Sequence, residues 1–150
     1  MTALRIGDAA QRTGISAANI RYYEREGLLA PALRQGNDYR LYTDSDLHRL
    51  RFIRMCRAMD MSLDEVRTLL ALDWHNPDDC HAATATIEAH LQHVRQRLKE
   101  LRALEKQLQG LKVLCNGHHA PCNLIAALHA QADDAAPAPA APTHHVKRHV

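Results

Sequence analysis

Between positions 81 and 113, apolar residues recur at Ile87, Leu91, Val94, Leu98, Leu101, Leu104, Leu108 and Leu111, in alternating steps of four and three with one three-residue slip after Leu101. This is a heptad seam, the pattern of a helix that turns one stripe toward a facing helix. No proline interrupts the stretch, and its one glycine, Gly110, stands near the end. A single rod of about 50 Å is therefore predicted, at about 1.5 Å per residue. A row of leucines that long does not stay in water, and the 72 residues of the head are too few to cover it. Either the rod is an inner helix of one larger domain or it pairs with a second copy of the chain. The small size of the head favours a coiled-coil homodimer.

The head, 1–72, reads as short helices with one hairpin. Gly14 breaks a first helix over 7–13, Ser16 caps a second over 17–26, and Gly27 ends it. Two short helices joined by a glycine-containing turn of about three residues have the spacing of a helix-turn-helix. Gly36-Asn37 between short extended stretches signals a two-stranded wing over 34–42. Thr43 with Asp46, and Ser62 with Glu65, are capping-box starts for two further helices. The fold class expected is mainly α: a winged helix-turn-helix head (1–72), a connector (73–80), a dimerisation helix (81–113), a loop and short helix (114–130) and a disordered, histidine-containing tail (131–150).

Charge places a function on the head. Residues 1–57 hold ten arginines, no lysine and six acids, together with all four tyrosines of the chain, the mix of a phosphate-contacting surface. A helix-turn-helix inserts the start of its second helix into the major groove; here that start offers Ser16, Ala17, Ala18, Asn19 and Arg21. Small side chains permit close approach, and Asn19 and Arg21 donate to base edges or phosphates. Tyr22 and Tyr23 point about 100° apart on a helix, so one packs inward while the other reaches for phosphate. Arg34, Tyr39 and Arg40 of the wing are candidate backbone grips, whereas Leu41 and Tyr42 look like packing.

The runs Ile6-Gly7-Asp8-Ala9-Ala10, Ile20-Arg21-Tyr22-Tyr23-Glu24-Arg25-Glu26-Gly27-Leu28-Leu29, Tyr39-Arg40-Leu41-Tyr42 and Met61-Ser62-Leu63-Asp64-Glu65-Val66 closely resemble the MerR family of bacterial transcription regulators, over about residues 1–130. One departure is Asp38, which stands between the Gly-Asn turn and Tyr39. The resemblance implies double-stranded promoter DNA and RNA polymerase as partners. It also implies activation by DNA distortion: a dimer holds a promoter with an overlong spacer, and the effector kinks and untwists it.

The four cysteines divide into two kinds. Cys56 lies among Leu and Ile on an apolar helix side and reads as a small hydrophobe. Cys80 opens the long helix, and Cys115 and Cys122 bracket a loop beyond its far end. Cys80 and Cys115 of one chain are separated by about 50 Å of rod and cannot share an ion. Two antiparallel copies bring Cys80 of one beside the loop of the other, making two equivalent three-thiolate sites. Three thiolates suit a soft divalent ion rather than Mg²⁺ or Ca²⁺, with His118 or His119 available as a fourth ligand. The thiol set and histidine tail are similar to the cadmium/lead branch of the family, which implies Cd²⁺ or Pb²⁺, with Zn²⁺ and Hg²⁺ open. A Cys115–Cys122 redox pair in a thiol-sensing regulator is the competing interpretation, and a metal buffer or chaperone a different class again.

His90 and His93 are neighbours on one helix face, a spacing that a metal bridges. Glu65 and the tail residues His144, His145 and His149 are candidates to complete this second site. No nucleophile–base set or phosphate-cradling loop appears, and aromatics are only 4% of the chain, so an enzyme is not expected. No run of about 18 apolar residues exists to span a membrane, and Arg5 and Asp8 interrupt any signal-peptide core. The expected compartment is the reducing cytoplasm.

Overall fold

Helix ends in this chain are set by local chemistry. A computed structural model describes residues 3–30, 33–36, 39–115, 117 and 121–135. His118, His119, His144, His145 and His149, and the side chain of Arg34, lie outside them. The elements in order are α1 (Ile6–Thr13), α2 (Ala17–Arg25), β1 (Leu33–Gln35), β2 (Tyr39–Leu41), α3 (Asp44–Ala58), α4 (Leu63–Leu70), α5 (Pro77–Lys112) and α6 (Asn123–Asp134). Gly14 stops α1 in the left-handed region at φ 69°. Thr43 and Ser62 close full capping boxes with Asp46 and Glu65, each cap stabilising by about 1 kcal/mol.

The chain divides into two units, Met1–His93 and Val94–Val150. In the first, α1 packs on α2 and α3, and α3 on α4. Ala9, Ile20, Leu28, Leu50, Ile53, Met61 and Val66 have no exposed surface, and each large aliphatic side chain buried this way contributes about 1.5–3 kcal/mol. The wing strands run antiparallel in the register Leu33↔Leu41, Arg34↔Arg40 and Gln35↔Tyr39. Leu4 and Tyr42 exchange backbone hydrogen bonds of 3.0 and 2.8 Å, stitching the chain's start to the foot of the wing. The expected mainly α, winged helix-turn-helix architecture is what folds.

Two boundaries differ from the sequence expectation. The long helix begins at Pro77, not at His81: proline is favoured at a first helical position, where its missing N–H removes no bond. Asn76 Oδ1 accepts the Asp78 amide at 3.0 Å, satisfying a donor of that first turn. At the other end, α6 continues through Asp134, so 131–134 is helical rather than disordered; Ala and Gln sustain a helix until the prolines begin.

In the second unit, Val94, Leu98, Leu101, Leu104 and Leu108 are all exposed along α5. Ile125 and Leu128 are exposed on α6. No helix among the described residues is long and apolar enough to cross a membrane.

Candidate nucleic-acid interface and metal centres

Ser16 Oγ accepts the Asn19 amide at 3.2 Å, so its hydroxyl caps α2. Ala18, Arg21 and Tyr22 are exposed, while Ala17 and Asn19 are half-buried. Tyr23 is buried, which corrects its place among the DNA-contacting candidates: of two adjacent helical tyrosines, this is the one turned into the core. Burial pushes its phenol pKa up, and Arg57 opposes that only in part.

Between α1, α2 and the wing lies a cleft of about 550 Å³, lined by residues that include Arg5, Arg21, Glu24, Tyr39, Arg40 and Tyr42. Tyr39 is 65% exposed at its edge, with the Arg5 guanidinium 5.8 Å from its ring centre. Tyr42 is packed away, as expected, and donates its hydroxyl to Glu24. Arg40 is turned inward. Its Nη2 donates to the Ala30 carbonyl at 3.0 Å. Its Nε lies 3.3 Å from Glu24 Oε1; that nitrogen is buried and meets the carboxylate as a counter-charge rather than along a hydrogen bond. Sequence reasoning missed Glu24. The available signal was an acid set one turn after Arg21 on an otherwise cationic helix.

Several head arginines serve the fold rather than a ligand. From α3, Arg51 and Arg54 donate to the carbonyls of Arg12 and Thr13 at the end of α1, at 3.4 and 3.1 Å. Arg57 donates to the Met61 carbonyl at 2.7 Å, and Arg49 to that of Leu28. These cations close helix ends and turns, where carbonyls lack partners.

The thiols fall in two places. Cys80 is exposed in the first turns of α5, its amide bonded to the Asn76 carbonyl at 3.2 Å. Cys115 lies beyond α5, and Cys122 is the N-cap residue of α6. Cys122 makes no capping hydrogen bond with its side chain, yet the Ile125 amide draws its thiol pKa below the ordinary value. Desolvation opposes this as the next largest effect, and the Leu124 amide and the Cys115 thiol add to the lowering. This is the helix N-terminus acting on a thiolate, with the Cys115 thiol close beside it. Cys56 is buried, and burial raises its pKa, which makes it inert packing.

A second cluster brings together three sequence candidates. Donor atoms of Glu65, His90 and His93 all lie within 4.8 Å of one another. Glu65 Oε1 is 3.2 Å from His90 Nδ1 and 3.8 Å from His93 Nδ1. Burial alone raises the Glu65 carboxyl pKa, but the Ser62 amide and His90 outweigh it and hold the group below the usual carboxylate value. His90 Nε2 lies 2.9 Å from the Met59 carbonyl. Both ring nitrogens therefore face acceptors. With Nε2–H held on the Met59 carbonyl, Nδ1 is aimed at Glu65, the orientation of a histidine that ligates through one nitrogen and is supported through the other.

The family model described as "MerR HTH family regulatory protein" matches residues 4–73, and a second, "MerR, DNA binding", matches 47–111. The chain is 36% identical over 126 residues to heavy metal-dependent transcription regulator 2 of Rhizobium meliloti (strain 1021), covering 81% of this chain and 84% of that one. Among solved structures it is similar to the transcription regulator PbrR691 from Ralstonia metallidurans CH34 in complex with lead(II), at 38% identity and TM-score 0.69, over 83% of this chain and 98% of that one. It is also similar, at 25% identity and TM-score 0.54, to HiNmlR, a regulator lacking the sensor domain and bound to promoter DNA, over 75% of this chain and 86% of that one.

Proposed function

Because the chain belongs to the MerR family of helix-turn-helix transcription regulators, and is therefore no enzyme, we propose that it is a homodimeric, metal-responsive activator of metal efflux or detoxification genes. The dimer holds a promoter with and without metal. A soft divalent ion, Cd²⁺ or Pb²⁺ with Zn²⁺ and Hg²⁺ as alternatives, engages Cys80 of one subunit and Cys115 and Cys122 of the other. The heads then kink and untwist the DNA so that RNA polymerase engages both promoter elements. Bending a site of roughly 20–30 base pairs costs on the order of 1–6 kcal/mol, so ion binding must favour the distorted state by a comparable amount. As a DNA-binding regulator it works in the cytoplasm.

The observation that carries this reading is the pairing of Cys115 with Cys122 at the head of α6, where amides already favour a thiolate. Soft, polarisable sulfurs of that kind suit a thiophilic ion. The seam supplies the third. Full antiparallel overlap sets Ile87 against Leu111 of the partner subunit, Leu91 against its Leu108, Val94 against its Leu104 and Leu98 against its Leu101. The same register carries Cys80 past the end of the partner's α5 at Lys112, toward the side from which Cys115 and Cys122 follow. The metal-dependent relative and the lead-bound neighbour support a metal effector.

Glu65, His90 and His93 form a second, weaker site in the same proposal, completed by His144, His145 or His149. The donor set of two imidazoles and one carboxylate fits a zinc-like ion.

The decisive experiment is complementation in a promoter-reporter strain challenged with Cd²⁺, Pb²⁺, Zn²⁺, Hg²⁺ and Cu⁺. Cys80→Ser alone and Cys115→Ser/Cys122→Ser alone each abolish induction. Co-expressed, they restore part of it, because one of the two sites in the mixed dimer is whole. Failure of co-expression to restore any response, with mixed dimers present, contradicts a shared site.

A further inference from the structure

The cleft between α2 and the wing holds an acid whose position a DNA-binding surface does not require. Glu24 stands on the recognition helix, one turn beyond Arg21, where a carboxylate repels phosphate. It is nevertheless only 20% exposed and serves two wing groups at once, accepting the Tyr42 hydroxyl and facing Arg40 Nε at 3.3 Å. Arg40 is further held by the Ala30 carbonyl at 3.0 Å, and its guanidinium lies 5.2 Å from the centre of the Tyr42 ring. Its side chain is 17% exposed. A cation so enclosed and neutralised does not act as a phosphate grip, although its place in the wing suggests one.

We propose that Glu24 is a positioning residue that withholds Arg40 from DNA, locking the wing to the recognition helix and leaving the exposed Arg21 and Tyr39 to meet the phosphates. Holding one cation back lowers indiscriminate attraction for the DNA backbone, which depends on the number of phosphates neutralised. It also fixes the wing angle relative to the helix that reads base edges. Specificity rises because the sequence-independent term falls.

This inference rests on the head being a reader of duplex DNA. The test is a double-mutant cycle read through salt dependence, with the full-length dimer and a mixed-sequence duplex of about 30 base pairs as probe. Each phosphate contact contributes about −0.9 to the slope of log affinity against log salt. Arg40→Gln leaves the wild-type slope unchanged. Glu24→Gln, which keeps an acceptor for Tyr42, frees one Arg40 in each head, so it steepens the slope by about two and tightens binding to this duplex about tenfold or more at low salt. Adding Arg40→Gln to Glu24→Gln removes the increment.

A structural role alone changes melting temperature and leaves these slopes equal. Arg40→Met, which keeps the aliphatic stem over the Tyr42 ring, replaces Arg40→Gln if the latter melts early. A wild-type slope that Arg40→Gln flattens by about two, one contact per head, overturns the proposal, as does a slope that Glu24→Gln leaves unmoved. A wild-type dimer that binds no duplex overturns the DNA reading, and this inference with it.

Discussion

Tyr42 shows how one buried hydroxyl ties stability to pH. Burial first, and then the Glu24 carboxylate, raise its pKa far above the ordinary value of 10.0, and burial raises that of Tyr23 in the same direction. The folded chain therefore keeps protons that the unfolded chain releases above pH ~10. Their contribution is complete below that pH and is lost progressively as pH rises through it. Urea unfolding across alkaline pH should show wild-type stability falling beyond pH ~10, and Tyr42→Phe falling less steeply. At neutral pH, Tyr42→Phe should be less stable by about 1–2 kcal/mol, because Glu24 loses a donor. Backbone strain gives a second pair of outcomes. Asp60 turns the chain between α3 and α4 at φ 63°, so Asp60→Gly should raise stability by about 0.5–1 kcal/mol. At Gly14, φ is 69° and a Cβ would stand 2.6 Å from Arg54 Nη1; Gly14→Ala should cost about 2 kcal/mol, as strain and a displaced cap add. Thermal melts of both variants check the opposite signs.

At the scale of elements, what is legible in a sequence is what is local. Ser16, Thr43 and Ser62 announce helix starts because a cap reaches only three residues, and Gly14 and Gly27 announce ends because few other residues turn left-handed there. The heptad stripe is equally local, so α5 was readable to within four residues at its start. Arginine roles are not local. The ten arginines of residues 1–57 read as one phosphate-facing surface, yet Arg54 bonds Thr13, 41 residues away, and Arg51 bonds Arg12, 39 away. Composition cannot distinguish a cation that closes a distant helix end from one that faces DNA. The inward turn of Tyr23 and Arg40 has the same origin, since a face is assigned by packing and not by spacing alone. Under the proposed function, α3 is scaffold and α2 is interface. Arg54→Gln should lower stability by about 1 kcal/mol by unpairing the Thr13 carbonyl, and should leave the salt slope of duplex binding unchanged. Arg21→Gln should do the reverse, flattening the slope of the dimer by about 1.8, about 0.9 per head, with little change in melting. A flattened slope in Arg54→Gln would place α3 on the DNA and undo this division.

At the scale of the whole molecule, the proposed dimer makes one seam serve both DNA and metal binding. If two copies pair antiparallel over α5, the two-fold axis passes between Leu98 and Leu101, and each of these faces the other's counterpart. With both positions charged, each charge meets the like charge at the other position across the axis, and two like charges so close in an apolar seam are strongly unfavourable. Leu98→Glu with Leu101→Glu should therefore give a monomer by sedimentation velocity. The head should stay folded, because its core over Ala9, Ile20, Leu50, Ile53 and Val66 uses no residue of the seam. Two losses should follow together. Affinity for promoter DNA should fall by about 10²-fold or more, since two linked heads bind with an effective concentration that one head lacks. Three-sulfur metal binding, followed by thiolate-to-metal ultraviolet absorption on titration with Cd²⁺ or Pb²⁺, should also fail, although Cys80, Cys115 and Cys122 are all still present. What remains should be the weaker two-sulfur binding of Cys115 with Cys122. A monomer that still saturates with three sulfurs per ion would place the whole thiol set within one chain, and dimerisation would then govern only DNA affinity.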